Sequence, residues 1–144
     1  MRADELNKLL RGELSAIETY QQALEKERAD FDQETAFQQL SSILRDHQQA
    51  AVQLRTEIQR VGGTPVDDPG AWGTWSKIVM ATAKLFGDKA ALKALKEGEE
   101  SGLKDCEDML QGGTVPREVQ PLIANLAAQQ QAHIRILDEL LTKL

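Results

Sequence analysis

From Leu6 onward apolar residues return at steps of four and three, through Leu10, Ile17, Tyr20 and Leu24, with Glu13 at the one place where an apolar residue is missing. That spacing predicts a helix with one buried face, and it puts a carboxylate on that face. A second stripe, Leu40, Leu44, His47, Ala51, Leu54, Ile58 and Val61, predicts a second helix that the acids at Asp30 and Asp32 can cap and that Gly62, Gly63 and Pro65 bring to an end. The two helices form a hairpin over about residues 3–61.

The segment GGTPVDDPG is turn chemistry, and the next apolar positions, Trp72, Trp75, Val79 and Phe86, mark one side of a shorter helix over residues 71–86. A helix of that length spans roughly 24 Å, enough to carry the chain from one end of a bundle to the other. Residues 62–87 therefore read as a crossover. Asp88 is placed to cap a third long helix with the stripe Leu92, Glu99, Leu103, Cys106 and Leu110. A fourth carries Leu126, Gln130, His133, Leu137, Leu140 and Leu144 and starts between Pro116 and Pro121, making a second hairpin over 88–144. The expected fold is an all-α four-helix bundle in one domain.

The two hairpins are copies of each other. Glu13 and Glu99 stand 86 residues apart, and so do the protein's two histidines, His47 and His133; Gly12 and Gly98, Leu40 and Leu126, and Leu54 and Leu140 keep the same offset. Residues of a hairpin lie at equal depth when they are equidistant from its turn. The midpoints of Glu13 with His47 and of Glu99 with His133 fall at Asp30 and Pro116, both in predicted turns. Each Glu should then face the His of its own hairpin, and the repeat can bring all four together in the core.

In this respect the chain resembles the ferritin-like superfamily, whose two helix pairs joined by a long crossover carry one Glu on the first and third helices and Glu-x-x-His on the second and fourth. The segments GGTP, GDKAALKALKEGEESGLKDCEDML and QQQAHIRILDELL are similar to the bacterial domain of unknown function 2383, a four-helix-bundle family. The resemblance implies a metal site at Glu13, His47, Glu99 and His133, which match four of the six ligand positions. Leu44 and Gln130 stand where the two bridging glutamates would be. Without them a dinuclear iron or manganese centre, and the oxidase chemistry that needs one, is not expected; one zinc, iron or manganese ion is. Metal handling or a stress response is the function class that the superfamily suggests. The alternative is a non-catalytic structural or interaction bundle in which each Glu pairs with its facing His, because a buried carboxylate needs a partner whether or not a metal is present. No other nucleophile and base come together along the chain, so the reading leans away from an enzyme.

Charge and composition narrow the partners. The net charge is −6 and neither end carries a basic tail, which speaks against a phosphate backbone as ligand. No apolar run approaches the roughly 18 residues of a membrane span, and MRADELNKLL lacks the apolar stretch of a signal peptide. With a single cysteine, Cys106, these features fit a cytoplasmic protein. Trp72 and Trp75 either cap the core under the crossover or anchor a partner subunit in a homo-oligomer. Gly12 and Gly98 each cost a helix about 1 kcal/mol relative to alanine, which suggests close helix approach beside the site. Tyr20 and Cys106 read as core, with a hydrogen bond from Tyr20 to a site residue as an added role, and Glu18, Asp46 and Glu100 read as solvated.

Overall fold

The structure, a computed structural model, describes residues 1–27 and 34–143. Helix α1 (Ala3–Glu27) pairs with α2 (Glu34–Arg60), a 3-10 turn (Gly70–Trp72) and α3 (Trp75–Phe86) form the crossover, and α4 (Asp88–Gln111) pairs with α5 (Gln120–Thr142). The chain is all-α over the described residues and packs as a helical bundle. Each hairpin packs extensively within itself, whereas the hairpins meet more sparsely along the α1/α4 and α2/α5 seams, and α3 lies across α1 and α4.

The stripes account for this packing. Leu6, Leu10, Leu54, Ile58, Ile123 and Leu126 fill one end of the core. Tyr20, Leu40, Ile43, Leu92, Leu95 and Leu137 fill the other. Between these apolar halves the buried polar residues Glu13, His47, Glu99, Gln130 and His133 form a belt. Pro121 sits in the first turn of α5, where its missing N–H has no helical partner to lose.

Three local expectations change. The crossover is a 3-10 turn followed by a helix from Trp75, instead of one helix from residue 71. Its inner face is Trp75, Ser76, Val79 and Ala83, and Phe86, in the last turn before Gly87 redirects the chain with φ +89°, is 75% exposed. Asp88 is the first residue of α4 and makes no side-chain cap; Gly87 precedes it. The cap at Asp30 to Asp32 and the last stripe residue, Leu144, lie outside the described residues.

Candidate metal centre

Each long helix contributes one ionisable side chain to mid-core, and α5 adds the amide of Gln130. The sequence places Glu13, His47, Glu99 and His133 at stripe positions, so helical periodicity turns each of them inward, where apolar residues would otherwise meet. His47 Nδ1 lies 2.5 Å from Glu13 Oε2, and His133 Nδ1 lies 3.2 Å from Glu99 Oε2, so each hairpin pairs its own Glu and His as the turn midpoints predict. A third contact, His47 Nε2 to Glu99 Oε1 at 2.7 Å, joins the hairpins. The two imidazoles lie 4.9 Å apart between centroids.

The charges explain why this belt is tolerated in a core. Both nitrogens of His47 face carboxylates, which only accept, so the ring donates twice as an imidazolium. Burial opposes that charge, but Glu13 and Glu99 outweigh it and hold the His47 pKa well above the ordinary histidine value. Burial likewise pushes against ionised Glu99, and here the His47 charge and the hydrogen bonds from both histidines win, bringing its pKa down to about 2. The Tyr20 hydroxyl donates to Glu99 Oε1 at 2.9 Å, and its ring stacks on His47. Burial and the facing carboxylates keep that phenol protonated, with a pKa well above the ordinary tyrosine value.

Sequence reasoning missed one member of the group. Asp46 Oδ2 lies 2.8 Å from His133 Nε2. The expectation of a solvated Asp46 is corrected: position 46 is one helical step from His47, a flank that faces α5 across the seam, and its side chain is only 39% exposed. Glu18 also has a partner, accepting the Ser76 hydroxyl at 3.0 Å, while Glu100 is exposed as expected. The signal for Asp46 was present only as an acid beside a histidine, a pattern that the surface of any helix supplies.

His47, Glu99 and His133 each offer a ligand atom within 4.8 Å of the others, all from buried side chains. Two imidazole nitrogens and a carboxylate oxygen suit a borderline divalent ion, and three protein donors leave a fourth position open. Glu13 and Asp46 stand behind this trio. Each accepts from the ring nitrogen on the far side of one histidine, the arrangement in which a carboxylate fixes the tautomer and raises the basicity of a metal-bound imidazole. Cys106 adds no thiolate, because burial and the nearby acids, Glu13 foremost, push its pKa up to about 12.

The family model of DUF2383, a domain of unknown function, matches residues 1–112. The chain belongs to that family. The match takes in Glu13, His47 and Glu99 and ends before α5 and His133. No curated protein and no solved structure matches this DUF2383 chain. Among the described residues, none of its helices is long and apolar enough to cross a membrane.

A cavity of about 50 Å³ adjoins the trio on the α1/α4 seam, bordered by Gly12, Glu13, Gly98, Asp105, Gln130 and the crossover tryptophans. Trp72 and Trp75 are half-buried there, packed edge to face at 5.8 Å. The two repeated glycines differ from the expectation of close helix approach. A Cβ on Gly12 would meet nothing within 4 Å, and one on Gly98 would meet the Trp75 indole nitrogen at 3.0 Å, so the close neighbour is the crossover.

Proposed function

We propose that this protein is a metal-binding bundle that holds a single divalent ion (zinc, iron or manganese) at His47, Glu99 and His133, and that it serves metal handling or a stress response in the cytoplasm. The observation that carries this reading is the convergence of three buried donors from α2, α4 and α5 within 4.8 Å. A bound ion would supply Lewis acidity and fix the two hairpins to each other; the chain's own part is to orient the imidazoles through Glu13 and Asp46. With neither bridging carboxylate present at Leu44 or Gln130, the reading is one of binding and not of catalysis. We take residues 1–144 as one unit that acts without nucleic acid or membrane, alone or as a homo-oligomer.

A second reading has its own support. Every ring nitrogen of the two histidines already faces a carboxylate oxygen, so the belt is complete as an ion-pair network without a metal. The bundle would then be structural or an interaction module. Elemental analysis of untagged protein, with melting curves in the presence and absence of chelator, separates the two. Metal at one equivalent and a chelator-dependent loss of stability support the first reading. Metal-free protein that takes up no Zn²⁺, Fe²⁺ or Mn²⁺ at micromolar concentration and melts identically with chelator leaves the second. On that reading Glu13→Gln combined with Glu99→Gln is near-neutral, because amides keep the hydrogen bonds and remove buried charge.

A further inference from the structure

Gln130 is an unexplained residue of the belt. Only 7% exposed, it borders the cavity, and its Oε1, shut off from water in this orientation, has no hydrogen-bond partner among the described residues, an expensive state for a buried amide that a turn of the amide toward the cavity contents would relieve. Glu13 borders the same space with one oxygen taken by His47 and the other left over. At the outer end stands Asp105, its side chain 30% exposed and paired at 3.7 Å with the exposed Lys8, a surface contact that holds an acid weakly. Among the described residues no Lys or Arg borders the cavity.

Gly12 shows that this space is a feature of α1. A mid-helix glycine costs about 1 kcal/mol relative to alanine. The usual compensation, a neighbour that a side chain would strike, is missing here. What glycine does at this position is leave room. A water takes roughly 10–15 Å³ on the same measure, so the cavity holds a few waters or a hydrated ion partly stripped of its shell.

Resting on the metal-binding reading above, we propose that this cavity is the port through which a hydrated divalent cation enters and leaves the His47/Glu99/His133 site, with Asp105 at its mouth and the Gln130 carbonyl and Glu13 carboxylate as acceptors along it. The opposite side of the site is closed by the Asp46–His133 contact, which leaves the α1/α4 side for exchange. Oxygen acceptors in sequence let an ion shed water stepwise, and a wall whose carboxylates Glu13, Glu99 and Asp105 outnumber its one charged imidazole, His47, favours cations over anions.

The test is stopped-flow uptake of Co²⁺ by metal-free full-length protein, followed by the visible absorption of Co²⁺ in a nitrogen and oxygen site. Gly12→Leu fills the cavity and is expected to slow uptake and release together, by about tenfold, with Kd little changed. Gly12→Ala adds a methyl that meets open space and favours the helix, so it folds and slows uptake by a smaller factor. Asp105→Asn is expected to lower the rate by a factor of about two to five and to flatten its dependence on ionic strength. Wild-type rates in Gly12→Ala and Asp105→Asn, with Co²⁺ still bound, overturn the port and leave the metal site standing. A wild type that binds no Co²⁺ overturns both.

Discussion

Asp46, half-exposed on α2, holds His133 of α5 by its outer nitrogen at 2.8 Å, so the imidazole is oriented from the opposite hairpin. In a metal site such a contact fixes the ring and its tautomer, and removing it typically costs about 10- to 100-fold in metal affinity. Asp46→Ala should show a loss of that size in a competition titration with a chromophoric chelator, with an unchanged far-UV spectrum.

Glu99 and Glu13 are equivalent by the 86-residue repeat but not by position, since Glu99 reaches both histidines and Glu13 only the outer nitrogen of His47. Glu99→Gln should therefore abolish Zn²⁺ binding, while Glu13→Gln should only weaken it. Isothermal titration of the two single variants measures the difference. Equal loss in both would make Glu13 a ligand on the same footing as Glu99.

Tyr20→Phe deletes the hydrogen bond to Glu99 while keeping the ring on His47. Hydrogen bonds to charged groups contribute about 1.5–3 kcal/mol, and the buried carboxylate left short of a donor makes a loss of about 2 kcal/mol the expectation in urea unfolding.

For metal-free protein the pH dependence follows from two opposite shifts. Glu99 has a folded-state pKa near 2, below its unfolded value, so its contribution is present above about pH 4.5 and is lost as pH falls toward 2. His47 is raised, so its contribution is full below about pH 6.5 and is lost as pH climbs through the folded value. Urea midpoints should peak on the mildly acidic side of neutrality, between about pH 4.5 and 6.5. A metal competes with the His47 proton, so chelatable Zn²⁺ should move that optimum upward.

Cys106 should not react with thiol reagents in the folded protein at about pH 8, because it is buried and its pKa stands near 12. Full labelling in denaturant with almost none beforehand, read by mass spectrometry, is the expected result.

The sequence carried the long helices and the depth of the two Glu and two His of the belt, because apolar spacing and turn position set both. The Glu13–His47 and Glu99–His133 pairs follow from those two facts alone. What lay between hairpins was less legible. The cross-link from His47 to Glu99, the turn of Asp46 toward α5 and the open space at Gly12 depend on how two amphipathic units dock, and periodicity within a helix carries no record of its neighbour's rotation. Phe86 failed for a related reason: the stripe continued, but it had reached the end of α3, where the chain turns away at Gly87.

The polar belt also crosses the boundary at which the repeated halves touch least, since His47 belongs to the first hairpin and Glu99 and His133 to the second. It therefore acts as a clasp. Two separately expressed pieces, cut in the loop at residues 62–69, should reassemble through it together with the packing of α3 on α1, and a metal held in the clasp would lengthen the time the pieces stay joined.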